Sequence, residues 1–284
     1  MLHIADPEIL RLSEQYALNI PRDPLSGRSG DLLGRGIGSS IEFQDYREYQ
    51  PGDDLRHVDW AAFARTDMLM VRLYREEVTP CVELLFDASR SMTSSPLKES
   101  LARRLAALFL LQTSRLSGEG VLWWLGERTR RLAGDERQEF LTLDCSGRRS
   151  LSALLDSDQP AFRRRSIRIV ISDFLFPHIP EKLLERLAHG AGALFVVQIL
   201  SPEEADPRVE GPIRLIDNET EENLNLNAGA EAVRGYAGRL RNLILGLQGS
   251  CRRLHVPFAG IRGNDVLATI CRETLFTAGF FRVE

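Results

Sequence analysis

Short apolar runs alternate with helical patterns from residue 81 onward. The runs cover residues 82–86, 120–125, 167–171 and 193–200. Between them, residues 97–116, 150–155 and 180–189 have the spacing of apolar positions that is typical of helices. Strands that alternate with helices predict a mostly parallel sheet with helices on both faces, and nearly continuous apolar strands indicate burial on both sides. The sequence therefore predicts an α/β domain.

Weaker patterns flank this region. Toward the C-terminus, the sequence predicts an edge strand, a long helix, a further strand and a last helix at residues 213–216, 228–254, 256–261 and 264–275. Toward the N-terminus, it predicts a helix over 7–19 with Asp6 as N-cap, a loop over 21–40 and a half-buried strand over 69–74. We place the main boundary near Pro80. Residues 1–80 would form an N-terminal extension that packs on an α/β domain of residues 81–284.

Charge and composition narrow the classes of function. The 284-residue chain has a net charge of −4, whereas general nucleic-acid binders normally have a basic excess. Its basic residues are almost all arginine, with Lys98 and Lys182 as the only lysines. No apolar stretch approaches the roughly 20 residues that a membrane-spanning helix needs. We therefore expect no nucleic-acid partner and no membrane span.

The cysteines and the N-terminal residues indicate the cellular compartment of the protein. The four cysteines show no Cys-x-x-Cys pair, and scattered unpaired cysteines are typical of a reducing compartment. The first residues do not show the basic and then apolar pattern of a signal peptide. We expect a cytoplasmic protein.

Polar side chains follow two of the predicted strands. Asp87, Ser89 and Ser91 come directly after the first apolar run, and Ser172 and Asp173 follow the third. Ligands of open α/β sheets bind beyond the carboxyl ends of the strands, where these side chains should meet. A set of carboxylate and hydroxyl oxygens suits a hard cation, so we predict a Mg²⁺ site, with Mn²⁺ and Ca²⁺ as alternatives. In the competing interpretation, Ser89 and Ser91 cap a helix that begins near Ser95.

The segment Asp-Ala-Ser-Arg-Ser-Met at 87–92 resembles the metal-ion-dependent adhesion site of von Willebrand factor A domains. In that family two serines coordinate the ion, aspartates usually act through water, and a third loop supplies a threonine. The resemblance implies that Asp173 is the later aspartate. Residues 145–151 occupy the place of the third loop, where Ser150 or Ser146 would stand in for the threonine. The resemblance implies a domain that holds a partner protein through the metal, and we expect it not to be an enzyme.

Residues 42–60 resemble the hallmark of the family called domain of unknown function 58. The matching features are Glu-Phe, Arg-Glu-Tyr, Pro-Gly-Asp-Asp, a Val-Asp-Trp in place of the usual Ile-Asp-Trp, and an Ala-Arg at 64–65. Residues 217–220 are similar to a late acidic turn of that family. The resemblance implies partnership with a MoxR-type AAA+ ATPase, or with its client, in assembling or remodelling other proteins.

The acidic hallmark segment permits two interpretations. In the first, its charged residues form ion-paired networks that fix the segment to the core or contact a partner, with Asp53 and Asp54 capping a short helix over 55–60. These residues are Arg47, Glu48, Asp53, Asp54, Arg56 and Asp59, with Arg65 nearby. In the second, Asp53, Asp54, His57 and Asp59 hold a catalytic metal in a hydrolase. We favour the first, because no nucleophile, general base or substrate-pocket motif accompanies the cluster.

Overall fold

The computed structural model describes residues 6–20, 41–76, 81–115, 120–207, 211–216, 223–228 and 230–283. The chain divides into two compact units. The α/β unit consists of residues 1–27 and 80–284, and the hairpin unit consists of residues 28–79. The glycine-containing loop at 21–40 and the acidic turn at 217–220 lie outside the described residues.

A six-stranded sheet forms the centre of the α/β unit. Its strands are β4 (Val82–Asp87), β5 (Gly120–Leu125), β6 (Thr129–Ala133), β7 (Ile167–Ser172), β8 (Ala193–Leu200) and β11 (Phe258–Arg262). They are ordered β11-β8-β7-β4-β5-β6, and all neighbours are parallel except β5 and β6. This confirms the predicted α/β class with a mostly parallel sheet. The sequence did not predict β6, a short hairpin partner whose outward positions are polar.

Helices cover both faces of this sheet. One face packs against α1 (Pro7–Gln15), α3 (Pro96–Arg115) and the helical segment that runs from α8 (Leu267–Thr269) into a π-helical turn, Ile270–Leu275. The other face packs against α4 (Leu151–Asp158), α5 (Pro180–Ala188) and the long helix α7 (Ala230–Arg253). The two hydrophobic clusters explain why β4, β5 and β7 are buried at every position. α6 (Pro202–Ala205) is a short helix after β8.

The N-terminal helix belongs to the α/β unit, which corrects the predicted extension of residues 1–80. Asp6 caps α1 as predicted, through a 2.9 Å hydrogen bond from the Glu8 amide. Strand β1 (Tyr16–Leu18) pairs antiparallel with β12 (Phe281–Val283) at the far end of the chain. Ile9 and Leu12 are buried in the cluster that contains α3. The predicted boundary near Pro80 coincides with the second junction between the units.

The hairpin unit is built on β2 (Ile41–Glu48) and β3 (Met70–Glu76), which pair antiparallel with a register shift between Phe43 and Asp45. The connection between them contains a 3₁₀ turn, Leu55–His57, and the helix α2 (Trp60–Thr66). The single helix expected over 55–60 is therefore wrong. Asp54 caps the 3₁₀ turn and Asp59 caps α2, so each aspartate begins its own short helix.

A further two-stranded sheet follows β8. Strand β9 (Gly211–Ile216) pairs antiparallel with β10 (Asn223–Ala228). The strand predicted at 213–216 therefore exists, but it belongs to this hairpin and is not an edge of the main sheet.

Candidate functional site

Asp87 is the last residue of β4, and its carboxylate is buried with 1% exposure. One oxygen, Oδ1, accepts a 3.0 Å hydrogen bond from the Ser89 amide. The other, Oδ2, accepts a 2.6 Å hydrogen bond from the Ser172 hydroxyl at the end of β7. The carboxyl ends of β4 and β7 are therefore joined by a hydrogen bond at this residue, at the edge where the sequence predicted that the polar side chains would meet.

The hydroxyls of Ser89 and Ser91 face each other, with 3.0 Å between their oxygens. Two neighbouring ligands of an octahedral Mg²⁺ with bonds of about 2.1 Å also lie about 3 Å apart. Ser89 precedes the 3₁₀ turn Arg90–Thr93, but its side chain makes no capping hydrogen bond there. The hydroxyl pair therefore has the spacing of cation ligands, and the capping interpretation gains no support from Ser89.

The third loop meets Ser89 through backbone atoms. Gly147 forms a bridge with Ser89, since the Gly147 amide donates to the Ala88 carbonyl and the Arg90 amide donates to the Gly147 carbonyl. A Cβ at Gly147 would lie 2.7 to 2.9 Å from backbone atoms of Gly126, so this approach needs glycine. The sequence had singled out Ser150 and Ser146 in this loop.

In the structure, neither of these two serines makes the contact with Ser89. The Ser150 hydroxyl accepts a hydrogen bond from the Ala153 amide and caps α4. Ser146 is exposed. Their role as metal ligands stays a prediction, and the contact of this loop with Ser89 is made by Gly147.

Asp173 lies directly after β7 and is buried with 1% exposure. Its Oδ1 accepts a hydrogen bond from the Leu175 amide, and its carbonyl accepts one from the Gln198 side chain. Its Oδ2 lies 2.8 Å from the ammonium of Lys98, a fully buried lysine in the first turns of α3. The structure thus adds a cationic side chain to the predicted set of oxygens.

Glu204 is the second acid bound to Lys98, with both carboxylate oxygens 2.9 Å from the ammonium. It lies in α6, where Ser201 and Glu204 form a capping box. The Ser94 hydroxyl also donates to Glu204, at 2.7 Å. The ends of β4, β7 and β8 are therefore joined by one polar network.

Electrostatics at this edge of the sheet favour a cation. The pKa of Asp87 is raised to about 6, chiefly by burial and also by the negative charge of Asp173, although the hydrogen bonds from Ser172 and Ser89 act against this rise. A divalent ion beside Asp87 would relieve both the desolvation and the repulsion. Asp87, Ser89 and Ser91 fit such an ion, with Asp173 as the second carboxylate.

Three aspartates in the acidic segment of the hairpin unit are paired with arginines, unlike Asp87. Asp53 forms a two-pronged ion pair with Arg47, with distances of 2.6 and 2.7 Å, and this bond is the main cause that lowers the pKa of Asp53. Asp54 pairs with Arg56, and its pKa is likewise lowered. Each of these pairs joins residues within the hairpin unit.

Asp59 is the most constrained carboxylate of this segment. It accepts hydrogen bonds from two amides at the start of α2, from the Tyr46 hydroxyl at 2.8 Å and from Arg72 at 3.0 Å. The bond from the Ala62 amide is the main cause that lowers its pKa to about 2. Its ion-pair partner, Arg72, was not singled out from the sequence. Glu48 is exposed at the end of β2.

Within the described ranges, no three His, Cys, Asp or Glu side chains are arranged to hold a metal ion. The proposed cluster of Asp53, Asp54, His57 and Asp59 therefore forms no such group. The set at the sheet edge differs because two of its four residues, Ser89 and Ser91, contribute hydroxyl oxygens.

Sequence reasoning missed Lys98 and Glu204 as parts of the site. Lys98 is one of only two lysines in an arginine-rich chain, which was a weak signal. Glu204 completes a Ser-x-x-Glu capping box directly after a predicted strand, but that motif reports on a helix start and not on a lysine partner. Only the fold brings the two side chains together.

Comparisons with solved structures give weak similarities. Conserved hypothetical protein BatB from Bacteroides thetaiotaomicron is 13% identical, with a TM-score of 0.35 over 70% of this chain and 98% of that chain. An aerotolerance-related membrane protein from Bacteroides fragilis is 14% identical, with a TM-score of 0.31 over 62% of this chain and 98% of that chain.

In the described part of this chain, no helix is both long and apolar enough to cross a membrane.

Comparisons of sequence are more informative. The uncharacterized proteins Rv1480 of Mycobacterium tuberculosis and Mb1516 of Mycobacterium bovis are each 28% identical over 232 residues, covering 76% of this chain and 73% of theirs. Residues 45–241 match the family described as "Protein of unknown function DUF58". That match covers well over half of the chain and includes most of the acidic hallmark and the strand-end site, so the chain belongs to the DUF58 family.

Proposed function

We propose that this protein is a divalent-cation-dependent protein-binding module. Asp87, Ser89 and Ser91 would hold Mg²⁺ at the carboxyl ends of the central strands, with Asp173 as the second carboxylate. The observation that carries the proposal is the pair of hydroxyl oxygens 3.0 Å apart beside a buried carboxylate. Bound Mg²⁺ would supply an open coordination position that an acidic side chain of a partner fills.

The partner is proposed from the family resemblance. We expect a MoxR-type AAA+ ATPase or its client, in a complex on which nucleotide-driven remodelling acts. We place this function in the cytoplasm, because the four cysteines form no disulfide with one another and three of them are buried, as is typical of a reducing compartment.

Binding is favoured over hydrolysis by the state of the acidic segment. Asp53 and Asp54 are neutralised by arginines, and Asp59 is occupied by helix capping and Arg72. Carboxylates used in this way hold a segment together and are poorly placed to act as general bases. We therefore retain the interpretation of these residues as structural or partner-binding.

Calorimetric measurement of Mg²⁺ binding to the purified protein tests the metal site. We expect saturable binding in the wild type and its loss in Asp87→Ala, with Asp135→Ala, an exposed aspartate elsewhere in the unit, as the matched control. The same experiment with Mn²⁺ and Ca²⁺ ranks the three ions. Equal binding by the wild type and a folded Asp87→Ala variant would refute the site.

Partner binding needs a separate experiment. Immobilised protein is exposed to a purified MoxR-type ATPase from the same organism, with Mg²⁺ or with EDTA. We expect retention only with Mg²⁺, and loss in both Asp87→Ala and Ser89→Ala. Retention that is unaffected by EDTA would show that the ATPase binds another surface.

A further inference from the structure

Lys98 places a fixed positive charge inside the candidate metal site. The side chain is fully buried, and its ammonium makes four contacts of 2.8 to 2.9 Å. Its acceptors are the Ser91 carbonyl, Asp173 and both oxygens of Glu204. All three N–H donors of the ammonium are therefore used, as the burial of a charged group requires.

The surrounding backbone holds Lys98 in this position. A Cβ added to Gly263, which follows β11, would lie 2.9 to 3.1 Å from backbone and Cβ atoms of Lys98. The Gly263 amide donates to the Leu200 carbonyl at the end of β8, so the loop is tied down beside the lysine. Glu204 is fixed by its capping box, by Ser94 and by the hydroxyl of Tyr236 on its carbonyl.

We propose that Lys98 is a tethered cation that competes with the divalent ion for Asp173 and so sets the affinity of the site. This inference rests on the proposed function, because it concerns the ion that Asp87, Ser89 and Ser91 would hold. Without a divalent ion, the ammonium neutralises Asp173. When the ion binds, Asp173 turns to it and Lys98 stays paired with Glu204.

Two features of the geometry support an exchange of partners. The Ser91 residue presents its hydroxyl to Ser89 and its carbonyl to Lys98, so the ion and the ammonium would occupy adjacent positions. Like charges this close repel strongly in a buried site. Glu204 offers two oxygens to the ammonium, so Lys98 can give up Asp173 and still remain paired.

The first test compares Mg²⁺ affinities by calorimetry. We expect Lys98→Met to bind Mg²⁺ at least about tenfold more tightly than the wild type, because a repelling charge is removed. Lys182→Met removes the exposed lysine and should leave the affinity unchanged. Since Lys98→Met leaves Glu204 without its cation, the double variant Lys98→Met/Glu204→Gln preserves charge balance if the single variant does not fold.

The second test follows the lysine itself. The chain has only two lysines, so protein labelled with ¹³C-lysine gives one set of side-chain signals for Lys98 and one for Lys182. We expect added Mg²⁺ to shift the Lys98 signals and to leave the Lys182 signals in place. The Asp87→Ala variant should show no shift at either lysine.

The outcomes separate this inference from the proposed function. If Mg²⁺ binds the wild type and Lys98→Met equally and Asp87→Ala abolishes binding, the metal site stands and the competition is refuted. If a folded variant of Lys98 binds Mg²⁺ and the wild type does not, the competition is supported, because Lys98 then prevents Mg²⁺ binding in the wild type. If neither the wild type nor any folded lysine variant binds, both ideas fall.

Discussion

Gly147 determines how closely the third loop approaches the candidate site. Its amide and carbonyl bond to the backbone on either side of Ser89, while its missing side chain leaves room for Gly126. The position of the Ser89 hydroxyl therefore depends on a residue that carries no chemistry of its own. A glycine required for close backbone approach is a packing constraint that acts on the site.

We predict that Gly147→Ala lowers the free energy of unfolding by about 1–3 kcal/mol, because the new methyl group forces two backbone segments apart. It should also weaken Mg²⁺ binding, because Ser89 loses its fixed position. Chemical denaturation and calorimetry measure the two effects. Gly238→Ala is the control, since a Cβ there meets nothing within 4 Å and alanine favours the helix. Unchanged stability and affinity in Gly147→Ala would contradict this account.

At the scale of elements, α1 belongs to the α/β unit although the hairpin unit, residues 28–79, separates it in sequence from the rest of that unit. It packs on α3, where the Gln112 side chain donates to the carbonyls of Ser13 and Tyr16. Its apolar residues complete one of the two hydrophobic clusters. The amphipathic pattern predicted the helix, but it could not predict which unit the helix would pack against.

We predict that Leu12→Ala destabilises the α/β unit by about 2–5 kcal/mol, the usual effect of removing a buried leucine. Leu10→Ala, on the exposed side of the same helix, should change the stability by less than about 0.5 kcal/mol. Leu12 is 2% exposed and Leu10 is 39% exposed. Fluorescence of the buried Trp123 and Trp124 reports the unfolding of this unit. Equal effects of the two variants would show that α1 is not part of the core.

In the hairpin unit, Asp59 begins α2 and joins it to both strands through Tyr46 and Arg72. Its pKa is lowered to about 2, chiefly by the hydrogen bond from the Ala62 amide. An unperturbed Asp has a pKa of about 3.9, so the folded state binds the proton less tightly than the unfolded state. The stabilisation is therefore complete above about pH 4 and is lost as the pH falls toward about 2.

We predict that amide protection in α2 decreases over this pH range, after correction for intrinsic exchange. Asp59→Asn should lower the protection at pH 7 and reduce its pH dependence. Asp67→Asn is the matched control, because Asp67 is exposed and adopts a left-handed conformation that Asn tolerates. Hydrogen exchange measured by mass spectrometry on peptides from residues 41–76 provides the data. Protection that stays constant from pH 5 to pH 2 would contradict the role of Asp59.

At the scale of the whole molecule, the proposed ion should stabilise only the unit that contains its ligands. A ligand that binds the folded state alone at about 100 times its Kd contributes about 2.7 kcal/mol. We predict that saturating Mg²⁺ raises the melting temperature of the α/β unit by about 5–10 °C. Exchange protection in the hairpin unit should not change. Asp87→Ala should abolish the effect, and an equal rise in that variant would point to binding elsewhere.

The sequence by itself determined the α/β class, the main strands and the placement of Asp87, Ser89, Ser91 and Asp173 at strand ends. It did so because buried parallel strands are continuous apolar runs, and because residues that follow such strands must meet at one edge of the sheet. These signals are local or follow from topology alone. The hallmark segment at 42–60 is also local, so the family resemblance could be recognised from consecutive residues.

Only the tertiary structure decided the partners of these residues. Lys98 and Glu204 are 106 positions apart in the chain, and β1 pairs with a strand at the opposite terminus. No local pattern encodes such contacts, because they depend on how α3, α6 and the loop after β11 pack around the strand ends. For the same reason, the sequence could place carboxylate and hydroxyl oxygens at the candidate site but could not show that the Lys98 ammonium is bound to one of these carboxylates.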